Sequence, residues 1–418
     1  MSPTALTASI VAVLALAAFA LPLLPLVLVL AAVLVAMVVD ASRIRRKPVV
    51  TRELPEILSL GVADPFRIEV EAPHGAGVRI RQAKPGDLDI KPNEGTGRSL
   101  EGTLTARRRG RMTLAPVAVR LRGPLGLAAW IHNCGEEAGI DVYPDMPAAY
   151  RAAARARHTR YRDPGTRGRG PLGLGTEFES VREYSPDDDI RQVNWRATAR
   201  LGRPMSNDYR LEQDRDVIAV LDAGRLMQAP LEDRTRLDAA LDAIAALASC
   251  CDDGGDRFGV LAFEAEQRVW MPPSRGGGRA ALQALYDLEP TAVDSDYGRA
   301  FQGLTASKRA LVFVFTDLVE EVAARPLVEA MPVLARRHAV TLVSARDREL
   351  EGAVTGERGE ATEVLDVLRA SVALDVLDAR TRAAAIARAA GAEVVEAPAD
   401  KLAGAVVTSY LRAKTRAR

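Results

Sequence analysis

The clearest structural signal in the sequence is a continuous apolar run, Ala310-Leu311-Val312-Phe313-Val314-Phe315, which ends at Thr316-Asp317. Short apolar runs rich in Val and Phe are typical of strands that are buried on both faces. A second run of this kind, Val217–Leu221, ends at Asp222, and apolar residues about four positions apart follow it. Strands and helices alternate in this way from residue 216 to 418, which predicts an α/β domain with a mostly parallel, Rossmann-like sheet.

Two acidic residues follow these strands directly, Asp222 after the first and Asp317 after the later one. If the strands are neighbours in the sheet, their carboxylates converge at the edge where open α/β sheets bind ligands. Carboxylates together with hydroxyls suit Mg²⁺, and Asp294 in the loop Asp294-Ser295-Asp296 could add an oxygen. The segment after the first strand has neither a G-x-G-x-x-G nor a Walker spacing, so we expect no nucleotide cofactor.

This arrangement resembles the von Willebrand factor A domain. The metal site of that domain uses Asp-x-Ser-x-Ser after the first strand, a Thr from a later loop and an Asp after the fourth strand. Asp222 and Asp317 match the acidic positions, whereas Gly224 and Leu226 replace the two serines. The resemblance implies a degenerate Mg²⁺ site formed by Asp222, Asp317 and Asp294. The alternative is that Asp222 and Asp317 only cap neighbouring backbone groups.

The N-terminal region carries no charge from Ala5 to Val39. A single helix of that length would extend about 52 Å, well beyond a hydrocarbon core of about 30 Å. Pro22 and Pro25 would break such a helix, so we predict a hairpin of two short membrane helices within residues 1–47. The basic block Arg43–Lys47 places both ends of the hairpin in the cytoplasm, at the plasma membrane. A cleaved signal peptide is the alternative, but its basic N-terminal region is missing.

Two further regions separate the hairpin from the α/β domain. Residues 48–148 show short alternating runs such as Phe66–Val70 and Val117–Leu121, punctuated by Gly and Pro, which predicts a small antiparallel β-sandwich. Residues 149–215 begin with an Arg-rich stretch, Tyr150–Gly170, which we interpret as a linker. A solvated connector and a patch for anionic lipid or nucleic acid are the two interpretations of its charge.

The composition excludes several functional classes. The 56 Lys and Arg residues nearly balance the 55 Asp and Glu residues, which indicates no nucleic-acid partner. Three cysteines and four scattered histidines match neither a disulfide framework nor a zinc site. No Ser-His-Asp or Cys-His pattern is recognisable, so we expect a protein that is not an enzyme.

A dense motif lies between Gly173 and Arg200. It resembles the pattern G-x-G-x-E-F-x-x-x-R-x-Y-x-x-G-D-D-x-R-x-I-D-W-x-x-x-A-R of a bacterial family, domain-of-unknown-function family number fifty-eight. The motif departs from that pattern at Asp187 and Asn194. The residues that carry the resemblance, and that we predict to bind a partner, are Glu177, Arg182, Tyr184, Asp188, Asp189, Arg191, Trp195 and Arg200.

The alternating charges of this signature have two interpretations. Ion pairs would hold the segment in one shape, with the Trp195 ring buried as an anchor. Alternatively, the segment is a docking surface for a partner or an acidic/basic active site. Genes of this family commonly lie beside those of MoxR-type AAA+ ATPases, which implies such an ATPase as partner.

These observations lead to one functional expectation and one alternative. We expect a membrane-anchored cytoplasmic scaffold or adaptor that binds a protein partner, a MoxR-type AAA+ ATPase, in a chaperone-like or complex-assembly role. The alternative is a metal-dependent hydrolase at the cytoplasmic face of the membrane, using Asp222, Asp317 and Asp294.

Overall fold

The structure, a computed structural model, describes residues 2–19, 22–161, 177–185, 193–210, 215–232, 234–304, 308–317, 321–355 and 364–416. The chain divides into two compact units, Met1–Tyr143 and Pro144–Arg418.

The first unit begins with two apolar helices, α1 (Ala5–Ala17) and α2 (Leu23–Ile44). Pro25 lies in the first turn of α2, where its missing N–H removes no hydrogen bond within the helix. Pro25 therefore does not break α2, which begins at Leu23. With 22 residues α2 extends about 33 Å and is long and apolar enough to span a membrane. The 13 residues of α1 extend only about 20 Å.

Antiparallel strands make up most of the remaining first unit. The described strands are β1 (Ser2–Pro3), β2 (Val49–Glu53), β3 (Ile57–Ser59), β4 (Ala63–Glu71), β5 (Gly77–Arg81), β6 (Leu88–Lys91), β7 (Glu94–Thr96), β8 (Ser99–Ala106), β9 (Gly110–Leu114), β10 (Val117–Arg122), β11 (Ala128–Cys134) and β12 (Ala138–Tyr143). They form three sheets, in the orders β1-β11-β10-β5-β7, β2-β4-β8-β6 and β3-β12-β9.

The three sheets share one apolar core. In β4 the residues Phe66, Ile68 and Val70 are buried while Arg67 and Glu69 are exposed, the alternation that a strand with one buried face requires. The last two turns of α2 contribute Ala41 and Ile44 to the same core. The end of the apolar helix is therefore packed into the β-rich unit.

The second unit contains the helices and strands that the alternating pattern predicts, together with two separate antiparallel pairs of strands. Its elements are α3 (Met146–Tyr161), β13 (Glu177–Glu183), α4 (Trp195–Leu201), β14 (Met205–Arg210), β15 (Asp216–Asp222), β16 (Pro230–Leu231), β17 (Arg234–Thr235), α5 (Arg236–Asp253), β18 (Arg257–Phe263), β19 (Gln267–Arg275), α6 (Gly277–Leu285), α7 (Tyr297–Leu304), β20 (Ala310–Phe315), α8 (Glu321–Ala335), β21 (Ala339–Arg346), α9 (Arg348–Thr355), α10 (Val364–Ala389), β22 (Glu393–Pro398) and α11 (Ala399–Arg416).

The main sheet of this unit has the order β19-β18-β15-β20-β21-β22. Its strands are parallel except for β19, which pairs antiparallel with β18 at one edge. The strand β15 lies between β18 and β20, so the two strands that end in acidic residues are neighbours, as expected. The chain is thus a mixed α/β protein with several sheets.

The main sheet is buried on both faces. In β15 the side chains of Val217, Ala219 and Leu221 pack on one side with helices α5 and α11. Ile218 and Val220 pack on the other side with α7, α8 and α10. Consecutive residues of a strand point to opposite faces, so an unbroken apolar run is what a sheet between two helical layers needs.

The Arg-rich stretch that we interpreted as a linker begins as helix α3. Ala149 and Ala153 are buried in the core with α5, whereas Arg151 and Arg155 are exposed. Small residues four positions apart give α3 a narrow apolar face. This face is not evident from the high arginine content of the stretch. Residues 162–176, the remainder of that stretch and the start of the signature, lie outside the described residues.

Candidate functional site

The carboxylate of Asp222 is buried at the end of β15 and accepts four hydrogen bonds. Its Oδ1 accepts from the backbone N of Gly224 at 2.8 Å and from the Ser295 hydroxyl. Its Oδ2 accepts from Tyr297 Oη at 2.6 Å and from Thr316 Oγ1 at 2.7 Å. A buried carboxylate needs such partners because burying an unpaired charge costs several kcal/mol.

Gly224 and Ser295 share one small space beside this carboxylate. A Cβ at position 224 would collide with Ser295 Oγ and lie 2.7 Å from the backbone oxygen of Val293. While Ser295 is bonded to Asp222, position 224 therefore has no room for a side chain. A hydroxyl from a loop 73 residues after Asp222 therefore lies where a side chain at position 224 would be.

The phenol of Tyr297 takes part in the same network. Its oxygen lies 2.8 Å from Thr316 Oγ1 and donates to Asp222. Burial raises the pKa of Tyr297 well above its usual value, and the nearby Asp222 charge adds to the increase. The phenol therefore stays protonated and keeps donating. Tyr297 and Thr316 were not among the predicted site residues, although Thr316 precedes Asp317 in the chain.

Asp317 is also buried, but it makes different contacts. Its Oδ1 lies 3.1 Å from Arg380 Nη2 and accepts from Ser344 Oγ at 3.0 Å. Its Oδ2 lies 3.1 Å from Arg236 Nε in an ion pair whose N–H is not aligned as a hydrogen bond. Thr316 contacts Asp222 while the next residue pairs with two arginines, since consecutive residues of an extended segment point in opposite directions.

The two arginines beside Asp317 are buried themselves. Arg236 Nη1 donates to the backbone oxygen of Ala345 at 3.0 Å, and Arg380 Nη2 donates to the same oxygen at 2.8 Å. Burial lowers the pKa of Arg236, and the charge of Asp317 opposes that decrease. A cavity of about 10 Å³ lies beside Arg236 and Asp317 and has room for one water molecule at most.

Asp294 does not join Asp222 and Asp317. Its exposed carboxylate pairs with exposed Arg225, with Nε and Nη2 each 2.9 Å from Oδ1. In the part of the chain that the structure describes, no group of three or more His, Cys, Asp and Glu side chains could hold a metal ion. The loop that we expected to supply an oxygen near Asp222 does so, but through Ser295. The Mg²⁺ site stays a prediction that these contacts do not favour.

The signature segment is described in part. Asp188, Asp189 and Arg191 lie outside the described residues, as does the side chain of Glu177. Arg182 Nη1 donates to the backbone oxygen of Glu183, and the Glu183 carboxylate lies 3.5 Å from exposed Arg203. The backbone N of Tyr184 donates to Pro204, which joins β13 to β14.

The interpretation in which Trp195 is a buried anchor is wrong, because the residue is 69% exposed. Trp195 is the first residue of α4, after Asn194, whose side chain accepts from the backbone N of Ala197. The other side of this short helix is held in place: Thr198 Oγ1 accepts from the backbone N of Met205, and Met205 is buried. One side of α4 is therefore attached to β14, while Trp195, Arg196 and Arg200 are exposed to solvent.

A second exposed surface, which sequence reasoning missed, lies on the N-terminal half of α10. Its large apolar side chains are between 48% and 62% exposed: Leu365, Val367, Leu368, Val372 and Leu374. We call these five residues the α10 patch. At 3.6 residues per turn, Leu365, Leu368 and Val372 lie on one face of the helix, whereas Val367 and Leu374 lie on the opposite face. Exposed apolar side chains that cluster on one face of a helix are typical of a surface that binds something.

The fold and these contacts define a class: an α/β domain with internally satisfied carboxylates, joined to a β-rich unit that carries an apolar helix. Residues 180–389, just over half of the chain, match the family described as "Protein of unknown function DUF58". The chain belongs to this family, as the signature predicted.

Uncharacterized proteins of Mycobacterium bovis and of two strains of Mycobacterium tuberculosis are relatives of this chain. Each is 25% identical over 188 residues, which cover 43% of this chain and 58% of the relative. The chain thus spans a little over half the length of these relatives. The crystal structure of a mutant of the SrpA adhesin from Streptococcus sanguinis aligns with 37% of this chain and 78% of its own, at 13% identity and a TM-score of 0.17. A similarity that low carries no argument about fold or function.

Proposed function

We propose that this protein is a membrane-anchored scaffold whose α/β unit binds a protein partner, a AAA+ ATPase of the MoxR type, in a chaperone-like or complex-assembly role. The observation that carries the proposal is the α10 patch, an exposed apolar surface on a chain that also has an apolar helix long enough to span a membrane. The choice of ATPase rests on the family resemblance alone.

The anchoring part of the proposal is a two-pass hairpin with both ends on the cytoplasmic side. Asp40, near the end of α2, is fully buried and accepts the backbone N–H groups of Leu125, Leu127 and Ala128 at 2.9–3.0 Å. Thr4, which caps the start of α1, donates to the backbone oxygen of Gly126 at 2.6 Å. The start of α1 and the end of α2 are therefore attached to one segment, residues 125–128, which supports a hairpin.

The charges at the end of α2 support this orientation. The basic block Arg43–Lys47 directly follows the apolar part of α2, and positive residues favour the cytoplasmic side. His132 Nε2 lies 2.9 Å from the backbone oxygen of Ile44 and so satisfies a carbonyl at the end of α2. Because α1 is shorter than the hydrocarbon core, its insertion would require local thinning of the bilayer.

We further interpret the α/β unit as similar to a von Willebrand factor A domain. The order of its main sheet, with β15 between β18 and β20 and an antiparallel β19 at the edge, supports that interpretation. So do the hydroxyls of Ser295 and Thr316 around Asp222. In this interpretation the carboxylate organises the loops at the edge of the sheet, and the binding surface lies elsewhere.

The α10 patch suits a protein partner better than an anionic lipid surface. Asp366 and Asp375 lie on the same half of α10, with Arg369 as the one basic residue of that half. Arg369 pairs with Asp366 at 3.6 Å. An apolar centre with a polar rim is the usual composition of a protein interface. The signature residues, from Glu177 to Arg200, remain proposed partner-binding residues.

The contacts do not favour the hydrolase alternative. A general base or metal ligand needs a free carboxylate oxygen, whereas Asp222 accepts four hydrogen bonds and Asp317 pairs with two arginines. Asp294 faces Arg225.

Photo-crosslinking in the native cell tests the scaffold proposal. A crosslinking amino acid at Leu368 or Val372 of the full-length protein is expected to capture the MoxR-type ATPase. The double variant Leu368→Asp/Val372→Asp should not recover this ATPase in a pull-down. Val49→Asp, an equally exposed apolar position of the first unit, serves as the control and should recover it. Failure to recover the ATPase, or equal recovery with all variants, would contradict the proposal.

A further inference from the structure

The exposed face of α4 combines one large aromatic side chain with two positive charges. At 3.6 residues per turn, Trp195, Arg196, Ala199 and Arg200 lie within an arc of about 140°, and all four are exposed. The helix sequence, Trp195–Leu201, contains no acidic residue, and Leu201 at its end is also exposed. This face is therefore both aromatic and basic, unlike the acidic rim of the α10 patch.

The helix is built so that this face stays rigid. The Asn194 side chain caps its start and also donates from Nδ2 to Asn207 Oδ1 at 2.7 Å. Gly202 ends the helix in the left-handed conformation, with φ of 66°. Thr198 holds the following strand by accepting from the backbone N of Met205. These contacts fix the backbone of the helix, and Trp195 nevertheless exposes a large apolar ring to solvent, which indicates that something covers it.

From these observations we infer that the exposed face of α4 binds the surface of an anionic lipid bilayer, so that Trp195 and Arg200 contact lipid and the protein partner meets the other signature residues and the α10 patch. Tryptophan favours the membrane–water interface, where its ring is in an apolar layer and its N–H remains hydrated. Arginines beside it attract anionic headgroups, and this attraction extends only over a Debye length. The combination is that of an interfacial contact, in which Trp195 inserts shallowly and Arg196 and Arg200 pair with headgroup phosphates.

The bilayer is the favoured occupant because the chain brings it within reach. The inference rests on the anchoring part of the proposed function, in which α2 spans the membrane. Because the chain is anchored in the bilayer, its surfaces encounter lipid at a high effective concentration. A weak contact is therefore enough for binding. The exposed arginines of α3, Arg151 and Arg155, add positive charge to the same unit. An acidic protein would fit the same charges but gains no such proximity.

Tryptophan fluorescence of the full-length protein in vesicles tests this inference. The chain has three tryptophans, so Trp130→Phe and Trp270→Phe leave Trp195 as the single reporter. The protein is reconstituted in vesicles of phosphatidylcholine alone or mixed with phosphatidylglycerol, with brominated phosphatidylcholine as quencher. We expect a shift of the emission to shorter wavelength and strong quenching only when phosphatidylglycerol is present, and both effects should decrease at high salt.

Charge reversals provide the matched comparison. Arg196→Glu/Arg200→Glu should abolish the shift and the quenching. Arg325→Glu/Arg369→Glu, the same change in charge at exposed positions of α8 and α10, should leave both intact. Unchanged far-ultraviolet circular dichroism would show that all variants are folded.

The possible results separate this inference from the proposed function. A protein that resists alkaline extraction from the vesicles, but whose Trp195 emission is the same in both lipids, would overturn the inference and leave the anchor in place. A protein that alkaline buffer extracts would overturn the anchoring on which both rest. An emission shift that requires added cytosolic protein and is independent of phosphatidylglycerol would overturn the lipid contact and identify the face as a protein-binding surface.

Discussion

Ser295 occupies the space that a side chain at position 224 would need, and from there it donates a hydrogen bond to Asp222. The two positions are thus alternatives for one hydroxyl beside the same carboxylate. This relationship gives a physical reason for glycine at position 224. Substitutions at positions 224 and 295 can therefore test whether the two residues share this space.

Gly224→Ser should destabilise the protein, because its Cβ collides with Ser295 Oγ. Overpacking of this kind costs about 1–3 kcal/mol. The double variant Gly224→Ser/Ser295→Ala should recover part of that loss, since it removes the Ser295 oxygen and supplies a new hydroxyl, while the backbone oxygen of Val293 remains 2.7 Å from the new Cβ. Thermal unfolding in detergent measures both effects. Gly303→Ser, where a Cβ meets no atom within 4 Å, is the control. Equal midpoints for the two single variants would refute the shared space.

Asp317→Asn should be strongly destabilising, because it leaves Arg236 and Arg380 buried without their negative partner. Breaking a buried ion pair costs about 3–5 kcal/mol. Asp294→Asn breaks an exposed pair with Arg225 and should change the free energy of unfolding by about 0–1 kcal/mol. Denaturant unfolding of the two variants gives the comparison. A larger effect at Asp294 would show that the exposed carboxylate has a role that its contact with Arg225 does not reveal.

Asp40→Asn should loosen the attachment of α2 to the β-rich unit. An amide has one accepting oxygen in place of the two that bind Leu125, Leu127 and Ala128. Hydrogen bonds to a charged group contribute about 1.5–3 kcal/mol each. Amide hydrogen exchange in proteoliposomes should therefore become faster throughout residues 125–128.

Gly123→Ala provides a second test of the same attachment, since its Cβ would collide with the Asp40 carboxylate. It should accelerate the exchange of the same amides. Asp87→Asn, at an exposed carboxylate of the same unit, should not. Protection that is unchanged in both Asp40→Asn and Gly123→Ala would disprove the attachment.

Asp242 should give the stability a distinct pH dependence. Burial raises the pKa of its carboxyl to about 6, partly opposed by Arg234, whose Nη1 donates to it at 2.7 Å. A carboxyl with a raised pKa contributes stability below its unfolded value of about 4, and this contribution is lost as the pH rises through 6. The stability of the native protein relative to Asp242→Asn should thus fall by about 3 kcal/mol between pH 4 and pH 7. A difference that stays flat or rises over this range would show that Asp242 is charged throughout.

The sequence by itself determined the elements of the α/β unit and the family. Apolar runs such as Val217–Leu221 report burial on both faces of a strand, and that property depends only on neighbouring residues. The placement of β15 beside β20 followed from the usual order of such sheets. The apolar helix α2 was equally evident, because its length and lack of charge are local properties as well.

The tertiary structure alone decided which polar groups meet. Ser295 and Tyr297 reach Asp222 from more than 70 positions away, and Arg380 reaches Asp317 from another helix. Trp195 is exposed although its size and apolar ring favoured burial. Periodicity reports how deeply an element is buried, whereas the partner of a polar side chain depends on the path of loops that leave no periodic trace. The burial of the strands and helices could therefore be predicted from the sequence, whereas the pairing of charges and hydroxyls could not.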